Sequence, residues 1–378
     1  MENRVRRNVA VIGCGNILER YLTGMARFPR LNVVGCADID KSRSEAASRT
    51  YGLRAYETIA DLLGDPSVEV VVNITPPAAH GSVTTAALTA GKHVYVEKPL
   101  AATLGEADRV LEVLKSTGRR LGCAPDTFLG SAAQTARRAI DDGAIGDVIG
   151  VACFVTHTLA ETWHPDPTLF FRPGGGPLLD MGPYSIASMV NCLGPITEVS
   201  GATRIGASPR VVTAPDRLVE TIDVQVATHA AAVLRFASGV LGSVMMSFDI
   251  WNDELPFIEI YGTKGILRLA DPNGFDGDVS LRLNSEASWQ VLDPVIPLLG
   301  EPDSRDQLLR GMGVADLVLS LDGRPQRTSP SLAYHVLEVL ESVEASSASH
   351  SVLRLKSSCD RPAPITTADV NLLLESVA

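Results

Sequence analysis

Gly13-Cys14-Gly15-Asn16-Ile17 follows the apolar run 9–12, and Asp38 closes a second apolar run 20 residues past position 18. Glycines so placed allow a tight turn and let backbone approach a pyrophosphate at the start of a helix. A carboxylate at the spacing of Asp38 accepts hydrogen bonds from ribose hydroxyls. The third glycine of G-x-G-x-x-G is absent, since position 18 is Leu, so the strand–turn–helix context and the acidic residue carry the assignment. Asp38 would repel a 2′-phosphate, which favours NAD over NADP, although Lys41 and Arg43 stand near enough to tolerate one. Lys98, in Glu97-Lys98-Pro99, is an ammonium that would stabilise charge on an alkoxide; a surface lysine is the alternative. Asp180 and Tyr184 are four apart on a helix expected over 180–192, which puts both on one face. Trp163-His164-Pro165 reads as an irregular loop where a ring and an imidazole could meet a sugar, or as plain surface. Asp126, after Pro125, offers a carboxylate to a substrate hydroxyl.

These residues need elements to hold them. Strands are expected at 8–12, 32–37, 68–74, 93–96 and 120–123, with helices at 17–28, 41–51, 58–63, 79–90 and 103–116. That alternation predicts a parallel sheet with right-handed crossovers. After about residue 145, strand-like runs follow one another: 148–157, 196–204, 222–228, 231–236, 240–248, 256–261 and 265–269. Helices are expected at 131–142, 180–192 and 330–345, and residues 345–351 read as a polar loop. Residues 1–125 therefore form an α/β dinucleotide-binding domain. Residues 126–378 form an α+β domain with a large, mostly antiparallel open sheet. Gly174, Gly175 and Gly176 give the backbone a tight turn ahead of Asp180.

The net charge of −11 argues against nucleic-acid binding, which needs a basic face. With 45% hydrophobic and 20% charged residues the chain is ordinarily globular. No apolar leader and no window of about 18 uninterrupted apolar residues occur, so neither secretion nor a membrane span is expected. Six scattered cysteines without a C-x-x-C pair read as buried free thiols of a cytoplasmic protein, and no metal site is expected.

Taken together, four segments resemble the glucose-fructose oxidoreductase/inositol dehydrogenase (Gfo/Idh/MocA) family. They are the Gly13–Gly15 turn; Thr75-Pro76-Pro77-Ala78-Ala79-His80; Glu97-Lys98-Pro99; and Gly174-Gly175-Gly176-Pro177-Leu178-Leu179-Asp180-Met181-Gly182-Pro183-Tyr184. Ile260-Tyr261-Gly262-Thr263-Lys264-Gly265 adds to the likeness. The resemblance implies a Rossmann domain followed by an α+β domain whose sheet mediates a homodimer or homotetramer. It implies an NAD-dependent oxidoreductase moving hydride between nicotinamide and a secondary alcohol or ketone of a sugar, sugar derivative or polyol. Two alternatives go with it: glycoside cleavage by transient oxidation, and a non-catalytic dinucleotide sensor. Thr75, Pro76 and His80 would then lie along the nicotinamide, and Glu97 and Lys98 where cofactor meets substrate. Family members commonly carry Asp and a proton-accepting His at the positions of Asp180 and Tyr184. A phenol, of pKa ~10 against ~6.5 for imidazole, replaces that base only if a cation such as Lys98 lowers its pKa. Otherwise Tyr184 only binds substrate, and Lys98 or a histidine is the base.

Overall fold

The computed structural model describes residues 6–156, 160–250, 252, 254–296 and 310–375. They fall into two compact units. The first comprises Met1–Gln134, Pro294–Tyr334 and Pro362–Ala378, and the second Thr135–Asp293 and His335–Arg361.

The first unit opens with β1 (Arg7–Ile12), α1 (Leu18–Met25), β2 (Leu31–Ala37), α2 (Lys41–Tyr51), β3 (Arg54–Ala55) and α3 (Ile59–Gly64). It continues with β4 (Val70–Asn73), α4 (Pro77–Thr89), β5 (His93–Val96), α5 (Leu104–Thr117) and β6 (Leu121–Cys123). All six strands are parallel, in the order β3-β2-β1-β4-β5-β6. Val9 to Ile12 and Val70 to Val72 are buried without interruption, as strands covered on both faces must be. Side-chain caps start the helices: Asp40 accepts from the Ser42 amide at α2, and Thr103 from the Glu106 amide at α5.

The chain goes on through α6 (Ser131–Asp141), β7 (Val148–Thr156), α7 (Gly176–Asp180), α8 (Gly182–Leu193), β8 (Ile196–Arg204), β9 (Arg210–Val211) and β10 (Thr221–Ile222). Then come β11 (His229–Phe236), β12 (Leu241–Ser247), β13 (Ile258–Gly262), β14 (Gly265–Leu269), β15 (Ser280–Leu283) and β16 (Gln290–Val291). The second unit's main sheet has the order β16-β15-β14-β13-β7-β12-β11-β8-β17, where β17 is Leu353–Arg354. It is antiparallel except for the parallel pair β7–β12. Along β11, Ala230, Ala232 and Leu234 are buried while Ala231, Val233 and Arg235 are exposed, the period-two pattern of a sheet covered on one face. The buried row meets Leu178 of α7, Ile186 of α8 and Leu340 of α10 (Pro330–Ser349) around one small apolar void.

Three expectations are corrected. The domain boundary expected at 125/126 falls instead between Gln134 and Thr135, and the late segments Pro294–Tyr334 and Pro362–Ala378 also belong to the first unit. Before α10 the chain forms α9 (Met312–Leu321), which packs on β5, β6 and α1. The Gln326 side chain then donates to the Leu121 carbonyl, and the Cys123 amide to that of Thr328. These contacts cover β6, which is buried throughout. α11 (Thr367–Leu374), begun by a Thr366–Asp369 capping box, belongs to the same unit. The loop expected at 345–351 is helical to Ser349, because the Ser346 and Ser347 hydroxyls accept from the Gly201 and Thr203 amides. The run 222–228 contributes strand only at Thr221–Ile222. Residue 157, the expected end of β7, lies outside the described residues.

Candidate active-site residues

In the first unit four motif segments leave the carboxyl ends of neighbouring parallel strands. Gly13 follows β1, Asp38 follows β2, Thr75 comes soon after β4, and Glu97-Lys98 follows β5. Strands β1 and β4 are adjacent, and the strand order reverses there; such a switch point is where open α/β sheets bind ligands. Gly13 has φ of +100°, and a Cβ on it would stand 2.8 Å from the Ile74 carbonyl oxygen, so no other residue fits. Nothing lies within 4 Å of a Cβ position on Gly15, which leaves that backbone open to approach. Asn16 is exposed, and Ile17, the N-cap of α1, makes no side-chain capping bond. The helix start is therefore free to receive an anion. The Asp38 carboxylate accepts from the Cys14 amide at 2.6 Å and the Asp40 amide at 2.8 Å, so it braces the glycine turn. Lys41 is paired with Glu57 and Arg43 with Asp40. These residues fit a dinucleotide with an unphosphorylated ribose.

Thr75 is held by Asn73, whose Oδ1 accepts from both the Thr75 amide (3.2 Å) and hydroxyl (2.7 Å). The same Asn73 donates through Nδ2 to the His80 carbonyl and the Thr84 hydroxyl. Pro76 is exposed at the start of α4. His80, expected along the cofactor, is instead 1% exposed. Its Nδ1 lies 2.6 Å from the Pro99 carbonyl and its Nε2 2.7 Å from that of Thr75. Burial holds the imidazole below its usual pKa, against the pull of those carbonyls and Glu97. His80 ties the Thr75 loop to the cis Lys98–Pro99 turn.

Glu97 is buried; its Oε1 accepts from the Tyr21 hydroxyl at 2.9 Å and its Oε2 from the Lys98 amide at 2.8 Å. Lys98 is half-buried. Asp126, expected to bind substrate, is fully buried, and its Oδ2 accepts from the Gly311 and Gly313 amides at 3.2 and 2.8 Å. It anchors the start of α9, and its burial raises its pKa. Two residues the motifs did not single out, Tyr21 and Asn73, turn out to fix the Lys98 and Thr75 segments. Asn73 was detectable as a polar residue ending an otherwise apolar run; Tyr21 was not.

In the second unit Asp180 and Tyr184 do not share one helix. Asp180 ends α7 and Tyr184 stands in the first turn of α8, with the break at Met181. Pro183, which has no amide hydrogen, is tolerated there only because it begins a helix. Asp180 is half-buried and Tyr184 is 5% exposed. Gly176, with φ of +80°, opens α7, and a Cβ there would meet the Ala227 carbonyl oxygen at 2.9 Å. Trp163 is 60% exposed. Its ring, that of half-buried His164 and that of Phe170 meet edge-on, with centroids 5.4 to 6.1 Å apart. Phe170 and Met181 pack against one apolar cluster containing Phe171 and Phe248, which joins the aromatic trio to the Asp180–Tyr184 break.

Residues 7–124 match the sequence profile of an oxidoreductase family with an NAD-binding Rossmann fold, and residues 133–268 that of the GFO/IDH/MocA C-terminal domain. The chain belongs to the Gfo/Idh/MocA oxidoreductase family. It is 30% identical over 270 residues to scyllo-inositol 2-dehydrogenase (NAD(+)) of Bacillus subtilis (strain 168), covering 70% of this chain and 73% of that enzyme. It is 34% identical over 196 residues to dTDP-3,4-didehydro-2,6-dideoxy-alpha-D-glucose 3-reductase of Streptomyces violaceoruber, covering 51% of this chain and 56% of the reductase. The fold matches levoglucosan dehydrogenase, solved with NADH and levoglucosan, at a TM-score of 0.80 and 21% identity over 93% of this chain and 100% of that one. This family member is an NAD-binding oxidoreductase of the dehydrogenase type. No helix among the described residues is long and apolar enough to cross a membrane.

Proposed function

We propose that this Gfo/Idh/MocA oxidoreductase is a cytoplasmic dehydrogenase that oxidises or forms a secondary alcohol of a sugar, sugar derivative or polyol. The observation that carries this reading is the position of Lys98. It follows a strand of the same parallel sheet whose other carboxyl ends bear Gly13, Asp38 and Thr75, and the two named sequence relatives act on an inositol and a nucleotide sugar. When bound, the nicotinamide ring takes or gives the hydride. The Lys98 ammonium stabilises the developing alkoxide, the Tyr184 phenol exchanges the hydroxyl proton, and Asp180 orients that phenol. Trp163 and His164 hold the apolar and polar sides of the substrate ring.

The test is a screen of NAD and NADP reduction over inositols, monosaccharides and anhydrosugars, repeated with Lys98→Ala, Tyr184→Phe and the double variant. Turnover with at least one polyol is expected, reduced about a hundredfold or more by Lys98→Ala. Losses in the double variant should fall short of the product of the single losses if both side chains serve one proton transfer. Unchanged turnover in Lys98→Ala would remove it from the chemistry, and near-normal turnover in Tyr184→Phe would take that phenol off the proton path. We further propose that the open face of the large sheet, where Val233 is 52% and Leu241 46% exposed, joins copies into a homodimer or homotetramer. Light scattering should show Val233→Arg shifting the assembly towards monomer.

A further inference from the structure

Two thiols meet beside the glycine turn. Cys36 lies within β2, paired with Val11 of β1 on one side and Ala55 of β3 on the other, and it is 0% exposed. Cys14 stands in the turn itself and is half-buried; the other five cysteines are all buried. The Cys14 sulfur lies 3.8 Å from the carbonyl oxygen of Ala37, the residue after Cys36. The Cys36 sulfur lies 3.7 Å from the carbonyl oxygen of Ser44 in α2. The two side chains also hydrogen-bond to each other: the Cys14 thiol donates, which raises its pKa, and the Cys36 sulfur accepts, which lowers its own.

A disulfide would draw these sulfurs to about 2.05 Å, closer than any hydrogen bond holds them. Cys36 has little room to move, since strands flank it on both sides and its side chain is packed. Cys14 is the partner that must travel. It lies beyond the end of β1, and nothing stands within 4 Å of a Cβ position on the next residue, Gly15. The turn is held in place by the Cys14 amide, which donates to Asp38 at 2.6 Å, and the Gly13 amide, which donates to the Ala37 carbonyl at 2.9 Å. Pulling Cys14 towards β2 disturbs both bonds and shifts the backbone that a pyrophosphate must approach.

We propose that Cys14 and Cys36 form a reversible disulfide that weakens dinucleotide binding, with a hydroperoxide as the oxidant. The half-buried Cys14 sulfur attacks the peroxide. The O–O bond breaks, a sulfenic acid forms on Cys14, and the other oxygen leaves as water with the thiol proton. Cys36 then attacks the Cys14 sulfur; the S–S bond forms, the S–O bond breaks, and the hydroxyl leaves as a second water with the Cys36 proton. The two thiols together lose two electrons, and the peroxide gains them. A lowered pKa suits Cys36 to this closing attack, whereas the raised pKa of Cys14 slows the first step. The bridge therefore answers sustained rather than brief exposure to peroxide.

The test incubates the full chain with hydrogen peroxide, maps its peptides by mass spectrometry and titrates it with NADH. A Cys14–Cys36 cross-link, lighter than the two thiol peptides by two hydrogen atoms, is expected. Kd for NADH should rise about tenfold or more as the Cys14 amide loses its charged acceptor, and dithiothreitol should restore it. Cys36→Ala, with Cys36→Val as a second variant that fills more of the buried site, should bind NADH like the unaltered chain and keep that affinity through the same treatment. No cross-link, a cross-link that leaves NADH affinity unchanged, or an equal loss of affinity in the Cys36 variants would overturn the switch.

Discussion

The Tyr21 hydroxyl donates to Glu97 across 2.9 Å, joining the helix that follows the glycine turn to the residue that precedes Lys98. Both side chains are buried, and the other Glu97 oxygen holds the Lys98 amide. Tyr21→Phe removes the donor and leaves a buried carboxylate oxygen unpaired, which costs about 1–3 kcal/mol. Urea denaturation should register that loss. If Tyr21 positions Lys98, kcat falls more than KM rises, while Kd for NADH stays within about threefold. Equal stability and equal kcat in Tyr21→Phe would show the contact to be idle.

We expect Asp38 to set the choice of cofactor. A carboxylate accepts at up to four lone-pair positions, so its bonds to Cys14 and Asp40 leave capacity for a ribose diol. Asp38→Ser should weaken NAD about ten- to a hundredfold, in line with the roughly 1.5–3 kcal/mol of a charged hydrogen bond. NADP should not improve in proportion, because Lys41 is engaged by Glu57 and Arg43 by Asp40. That Lys41–Glu57 pair is exposed and hence weak. Adding Glu57→Gln to Asp38→Ser is expected to lower KM for NADP, and failure to do so would mean the 2′-phosphate site lies elsewhere.

Asp126 separates structural from substrate-binding carboxylates. Asp126→Ala deprives the Gly311 and Gly313 amides of their acceptor inside the protein, and about 2–4 kcal/mol of stability should go with it. KM for whatever sugar is turned over should not move. A selective rise in KM with unchanged stability would restore the role in substrate binding that its position after Pro125 suggests.

The sequence made the first unit's order of strands and helices readable because both signals, unbroken apolar runs and glycine or capping residues, act within a few positions. Asp40 and Thr103 cap their helices from one residue away. What escaped depends on partners distant in sequence. Nothing local marks Asp126 as buried, since its acceptor role needs Gly311, and nothing local assigns residues 312–328 to the first unit. The serines after Ala345 read as a loop by composition, and only the Gly201 and Thr203 amides make them worth keeping helical. The break between Asp180 and Tyr184 was local, however: Gly182-Pro183 is a helix-start signal inside the expected helix.

His335 sets an acid limit on stability. It is fully buried; Nε2 accepts from the Ile196 amide at 3.0 Å, which leaves Nδ1–H to donate to the Ser357 hydroxyl at 2.8 Å. Protonation of Nε2 would break the first of these bonds. Burial accordingly lowers its pKa from 6.5 to about 4, with Glu338 pulling the other way. A histidine whose folded pKa is depressed binds fewer protons than in the unfolded chain, so stability rises with pH across the gap between the two values. The contribution is complete above pH 6.5 and is lost as pH falls towards 4, amounting to at most about 3 kcal/mol at ~1.4 kcal/mol per unit. Urea melts at pH 7, 5.5 and 4.5 should show this decline, and His335→Gln, which keeps a side-chain amide able to pair with Ile196 and Ser357, should flatten it. A slope unchanged by that substitution would place the acid sensitivity in other groups, His93 first among them, whose pKa burial and Arg119 also lower to about 4.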